Sequence, residues 1–204
     1  MKKRLLMLVM ATVLLVGCGG NTDSDNLNIG LEEESITNVD SGSESVDTEE
    51  NDSTEQSVYV MEFTDAQTIH GENVSADVFA NSKLTMINVW ATFCGPCINE
   101  MPDLGEIAKA YDIADFQMIG IVSDVLEGDV EMLAEAKEIV DETGADYTHL
   151  LLNEELYMNL VGASDSVPTT YFFNQKGELL GYLVGAQSKE VWEEIINGLL
   201  EEME

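Results

Sequence analysis

Apolar residues along this chain fall into three regimes. Residues 5–16 are almost unbroken apolar, behind Lys2, Lys3 and Arg4. From residue 19 to about 57, apolar positions stand isolated among Asn, Asp, Ser, Thr, Glu and Gly, with no Lys, Arg, Pro or aromatic residue. From Val58 onward, short apolar runs alternate with stretches of helical periodicity, so the folded domain is expected over residues 58–204. Within it, Val58, Val60 and Phe63 sit among polar neighbours and His70-Gly71 makes a turn, which predicts two short strands. Residues 83–90 and 116–122 are nearly continuous apolar runs, the pattern of strands buried on both faces. Met101, Leu104, Ile107, Ala108 and Tyr111 recur at helical spacing, with Pro102 inside the pattern. A second helix is predicted over residues 129–143, closed by Gly144, followed by a strand at 148–152 and a short helix at 154–160. A hairpin is predicted from 169–173 and 178–184 around Asn174-Gln175-Lys176-Gly177. Beyond Gly185, Ser188 can cap a helix whose Trp192, Ile195, Ile196, Leu199 and Leu200 make one stripe with Val191. This order predicts an α/β fold: a central mixed β-sheet flanked by helices on both faces.

Composition narrows the function. The 204 residues are 45% hydrophobic, enough for a real core, and 40 acidic residues against 8 basic ones give a net charge of −32. Such a surface repels phosphates, so nucleic acid is not an expected partner. The basic start and the short apolar run suit a secretory signal peptide over residues 1–17 and are too short to span a bilayer as a helix. Leu15-Val16-Gly17-Cys18 resembles the lipobox of bacterial lipoprotein signal peptides, which implies lipidation of Cys18 and attachment to a membrane through the lipid. Residues 18–57 then read as an acidic, disordered linker, because so few apolar groups cannot offset the entropy of ordering. A flexible chain of this length spans roughly 35 Å, and mutual repulsion among its acids lengthens it.

The chemistry concentrates at Trp90-Ala91-Thr92-Phe93-Cys94-Gly95-Pro96-Cys97, where a buried strand hands over to a helix. Two cysteines three positions apart can close a small disulfide and reopen it. At a helix N-terminus, unpaired N–H groups and the helix dipole favour the thiolate of Cys94, which is therefore expected to be the exposed attacking sulfur. Cys97, one turn further, is expected to resolve the mixed disulfide. Rival readings are a static bridge and half of a zinc site, for which His70, His149 and Cys18 are the other ligands available.

The same eight residues, with Pro102 five positions after Cys97 and with Val167-Pro168-Thr169-Thr170 downstream, resemble the thioredoxin superfamily. Asn88, where cytoplasmic thioredoxins carry a buried aspartate, the lipoprotein-like N-terminus and an added strand-helix segment resemble its extracytoplasmic TlpA/ResA branch. The resemblance covers residues 58–204 and implies a thioredoxin-like fold with the N-terminal hairpin and central strand-helix insertion of that branch. It implies a thiol-disulfide oxidoreductase, with the Gly95-Pro96 pair favouring reduction of protein disulfides. No dissociable cofactor is implied, since the Cys94–Cys97 disulfide is itself the redox group. By resemblance, Val167-Pro168 is a cis bond beside the cysteines, Val167 pairs with an extended substrate and Pro168 blocks metal. Trp90 and Phe93 flank the site, either as packing or as substrate contacts; family members more often carry tryptophan where Phe93 stands. Glu100 is placed as a proton handler for Cys97, its pKa raised by burial, while Asn88 cannot titrate. The implied partners are a disulfide-bearing exported protein, an apocytochrome c among the candidates, and a membrane thiol-electron transporter of the CcdA/DsbD type as donor. The implied location is the outer face of a bacterial cell membrane, with the protein a lipid-anchored monomer. The alternative is a copper metallochaperone on the same fold, using Cys94, Cys97 and His149.

Overall fold

The computed structural model describes residues 58–126, 128–164 and 166–203. The signal peptide, Cys18 and the acidic linker expected over residues 1–57 lie outside the described residues. Among the described residues, no helix is long and apolar enough to cross a membrane.

Five strands form the central sheet in the order β5-β4-β3-β6-β7. At its middle lies β3 (Leu84–Trp90), every residue buried. It runs parallel to β4 (Phe116–Val122), in register from Leu84 opposite Phe116 to Trp90 opposite Val122, and antiparallel to β6 (Thr169–Asn174). Outside these lie β5 (Thr148–Leu151), parallel to β4, and β7 (Leu179–Val184), antiparallel to β6. The β6–β7 turn is closed by Gly177, whose φ of 74° suits a residue without a side chain.

Alternation along β3 divides the core. Ile87 and Val89 point to one face, with Ile119, Ile121, Tyr171 and Phe173. That face is covered by α3 (Glu154–Asn159), through Leu156 and the following Leu160, and by the N-terminal segment, through Met61, Phe63 and Phe79. Leu84, Met86 and Trp90 point the other way. They meet Leu104 and Ile107 of α1 (Gly95–Ala110), Ala136 and Val140 of α2 (Val130–Thr143), and Trp192 and Ile196 of α4 (Lys189–Glu202). Each buried side chain of this size contributes roughly 2 kcal/mol over its exposed state. Helix α1 runs through Pro102 without ending. Helix α2 starts on the Asp129 carboxylate, which accepts from Met132 N–H, and ends on Gly144 at φ 67°.

Two expectations need correction. The hairpin at the domain's start turns at Gly71, φ 90°, as expected, but its strands are β1 (Ala66–Gln67) and β2 (Asn73–Val74) rather than the Val58–Phe63 stretch. Among the described residues, the earlier apolar positions make only one bridge, Val60 with Glu178, because Met61 and Phe63 are spent on packing under the sheet. Ser188 occupies the N-cap of α4, but its side chain makes no capping hydrogen bond.

Candidate active site

The site sits at the C-terminal end of β3, where the chain must leave the sheet and start α1. Trp90 is the last ladder residue. Its carbonyl accepts from both the N–H (2.8 Å) and the hydroxyl (2.9 Å) of Ser123, just past β4. Next, the Asp124 carboxylate takes Thr92 N–H at 3.0 and 3.1 Å and the Thr92 hydroxyl at 2.7 Å. Cys94 N–H closes the loop on Ala91 carbonyl at 3.0 Å. Cys94 is thereby held as N-cap of α1, with Gly95 and Pro96 in the first turn, where proline's missing N–H costs nothing.

Cys94 and Cys97 are joined as a disulfide. Cys97 N–H points at Cys94 Sγ, 3.3 Å away, so one unpaired N–H of the helix start faces the sulfur on which negative charge develops. The expectation of an exposed Cys94 is corrected: it keeps 5% of its surface and Cys97 none, since both pack into the cluster with Trp90, Met101 and Val122. Cys94 is the less enclosed of the two.

Val167 packs against that cluster, and the Val167-Pro168 bond is cis. Pro168 is buried, with its carbonyl accepting from Gly185 N–H at 2.8 Å. Phe93 is 78% exposed and lines, with Val167, Leu152 and Tyr157, a cleft of about 290 Å³. Leu152 and Tyr157 also wall a larger cleft of about 750 Å³ running toward Asp65, Asn73 and Leu126. The two aromatic residues expected beside the site thus part company. Phe93 faces solvent, whereas Trp90 is wholly buried and cannot touch a docked protein, so its place among substrate contacts is corrected.

Trp90 instead donates its indole N–H to His149 Nδ1 at 3.1 Å, while His149 Nε2 donates to Ala145 carbonyl at 2.9 Å. Both ring nitrogens are committed, and the ring is held neutral. Burial pushes its pKa down to about 4. Gly120, opposite His149 on β4, makes room for the ring, which a Cβ there would strike. A copper site built from Cys94, Cys97 and His149 would have to break at least the Trp90 bond to Nδ1, since either ring nitrogen can ligate only once Nδ1 no longer accepts from the indole. Tyr147 stacks on His149 with centroids 4.4 Å apart; its hydroxyl is buried without a hydrogen-bond partner among the described residues, and burial pushes its pKa up.

Glu100, one turn beyond Cys97, is buried, with 4% of its surface exposed. Its Oε1 accepts from Asn88 Nδ2 at 3.2 Å, and its Oε2 from Gln187 N–H at 3.1 Å and Trp192 Nε1 at 3.4 Å. Desolvation raises its pKa above the usual carboxylate range, helped by the nearby charge of Asp103; the three donors oppose the rise. Asn88 is fully buried and also donates to Thr170 Oγ1 at 3.0 Å. Asp124, Thr170, Gln187 and Trp192 join the site without a motif in the sequence that gives them a role. The one hint in the sequence was Ser123-Asp124, a polar pair immediately after a buried strand, where open α/β sheets gather their functional groups.

Residues 59–180 match the AhpC/TSA family. The chain belongs to this family. It is 29% identical over 128 residues to the thioredoxin-like protein YneN of Bacillus subtilis, covering 63% of this chain and 71% of that one. It is 25% identical over 108 residues to the thiol-disulfide oxidoreductase ResA of Bacillus anthracis, covering 53% of this chain and 58% of ResA. The match thus spans less than two thirds of ResA. A thiol:disulfide interchange protein of Chlorobium tepidum superposes with a TM-score of 0.60 at 24% identity, over 70% of this chain and 96% of that one, a likeness of fold.

Proposed function

We propose that this AhpC/TSA-family protein is a thiol-disulfide oxidoreductase that reduces disulfides of exported proteins while tethered by a lipid on Cys18 to the outer face of a bacterial cell membrane. The observation that carries the redox reading is the Cys94–Cys97 disulfide at the start of α1, with Cys97 N–H aimed at Cys94 Sγ. The relatives named as thiol-disulfide oxidoreductases support it. The reducing direction rests on Gly95-Pro96, and the location on the sequence around Cys18.

In the reduced protein, Cys94 thiolate attacks one sulfur of the substrate disulfide, and the other substrate sulfur leaves with the electron pair. Cys97 then loses its proton to Glu100 and attacks Cys94 Sγ. The bond between Cys94 and substrate breaks, the substrate leaves as a second thiolate, and the Cys94–Cys97 disulfide remains. Two electrons pass to the substrate, and a membrane thiol-electron transporter of the CcdA/DsbD type restores the dithiol. Phe93 and Val167 offer the apolar surface on which the substrate docks, with the adjoining clefts accommodating its flanking chain.

The test is turnover of insulin disulfides with a redox titration of the Cys94/Cys97 couple. Cys94→Ser should abolish two-electron exchange, and Cys97→Ser should accumulate mixed disulfides. Copper retained against a chelator, with no disulfide turnover, would overturn the reading in favour of a metallochaperone. Incorporation of a labelled fatty acid in cells, lost in Cys18→Ala, tests the anchor.

A further inference from the structure

The Asn88 amide lies fully buried between Glu100 and Thr170 and presents only one of its two ends. Nδ2 faces Glu100 Oε1 and Thr170 Oγ1, while Oδ1 has no hydrogen-bond partner among the described residues. An amide carries a donor end and an acceptor end on one rotatable bond. Glu100 needs a donor on Oε1 when ionised and an acceptor there when protonated. Thr170, a hydroxyl, serves as either.

We propose that Asn88 is a positioning residue whose amide turns end for end with the protonation of Glu100, so that this buried carboxyl gains and loses a proton without losing its partner. This rests on the reading of Glu100 as proton acceptor for Cys97. With Glu100 ionised, Asn88 Nδ2 donates to Oε1. When the Cys97 proton arrives on Oε1, the amide turns, Glu100 O–H donates to Asn88 Oδ1, and the Thr170 hydroxyl rotates to donate to the same oxygen. The count of hydrogen bonds made by the amide is the same in both states. Gln187 N–H and Trp192 Nε1 stay on Oε2 and hold the carboxyl in place through both.

Other side chains at this position do not offer both ends. An apolar residue leaves Oε1 without a partner in both states, and because the bond lost to the carboxylate is charge-assisted and the stronger of the two, Glu100 is held protonated and unable to take a proton. An aspartate puts a second carboxylate beside the first, and the pair then competes for one proton. Among the charged and titratable groups around Glu100, Asp103 on its own helix and Tyr147 ahead of β5 are fixed background to either change.

The experiment follows the Glu100 carboxyl carbon by carbon-13 NMR in glutamate-labelled reduced protein, assigned by its loss in Glu100→Gln. Alongside it, resolution of a Cys94 mixed disulfide with a small aromatic thiol is timed across pH. In wild type, Glu100 should titrate above the usual carboxylate range, and resolution should follow the same midpoint. Asn88→Ala should move the midpoint up by about one unit, a tenfold change in proton affinity. Resolution should move with it, and Asn88→Ser, with a hydroxyl that both donates and accepts, should restore part of the shift. Asn88→Asp, which keeps the shape should the alanine variant not fold, should split the titration into two steps with the upper above the wild-type midpoint. A midpoint indifferent to Asn88→Ala, or to Asn88→Asp, overturns the proposal alone. A midpoint that moves while resolution does not overturns the Glu100 reading and the role of Asn88 with it.

Discussion

Asp124 does for the active-site loop what a neighbouring strand does for β3. The ladder between β3 and β4 stops at Trp90, yet the chain must still pass buried Thr92 before Cys94 opens α1. The Thr92 N–H has left the sheet, and the Asp124 carboxylate replaces the lost carbonyl while also taking the hydroxyl. Removing it strands two polar groups in a nearly closed site, at about 1–3 kcal/mol for a buried unpaired group. Asp124→Ala should therefore lower stability by about that much in urea unfolding. It should also slow alkylation of reduced Cys94 several-fold, because the N-cap geometry loosens. Asp124→Asn keeps an acceptor oxygen and should lose less in both measurements; equal losses would show that the charge, not the hydrogen bond, holds the loop.

At the level of elements, legibility followed locality. β3 and β4 could be read almost to the residue because strands buried on both faces are marked by continuous apolar runs, and α2 because Asp129 and Gly144 mark its ends. The N-terminal hairpin turns at His70-Gly71 as the sequence indicates, but its first strand is not the Val58–Phe63 stretch, because alternating apolar residues report burial, and Met61 and Phe63 are buried by packing rather than pairing. At the site, the spacing of Cys94 and Cys97 could be read, but the donors that converge on Glu100 could not. Gln187 and Trp192 lie 87 and 92 positions away, and such contacts leave no periodic trace. The burial of Trp90 follows from its place at the end of a strand buried on both faces, but its bond to His149, which reaches across from β5, leaves no such trace. Gly120 is the element-level cost of that arrangement. Gly120→Ala should push the His149 ring off Trp90, destabilise the protein by about 1–3 kcal/mol as overpacking does, and change the Trp90 fluorescence. Unchanged emission in the folded variant would mean that the ring has another place to go.

Across the whole molecule, two buried titratable groups under the same face of the sheet set opposite slopes of stability with pH. His149 has its folded pKa depressed from 6.5 to about 4. Above 6.5 it is neutral folded and unfolded alike, so its full contribution is present. As pH falls from 6.5 toward 4, the unfolded chain binds a proton that the folded chain refuses, and stability drops by roughly 3 kcal/mol. Glu100 has its pKa raised by burial, so the folded protein holds a proton that the unfolded chain has released. Its contribution is greatest below the ordinary carboxylate pKa and is lost as pH rises through the folded value. The remaining exposed carboxylates, with a net charge of −32 behind them, add a broad self-repulsion that eases in acid. Urea unfolding of the oxidised protein from pH 4 to 8 separates these terms by difference. Wild type minus His149→Gln should fall as pH drops below 6.5, and wild type minus Glu100→Gln should rise over the acid range. A flat His149 difference would mean that the ring is charged or hydrated inside the fold, contrary to its two hydrogen bonds. A Glu100 difference of the same sign as that of His149 would mean that its three donors outweigh desolvation, leaving Glu100 too acidic to take the Cys97 proton near neutral pH.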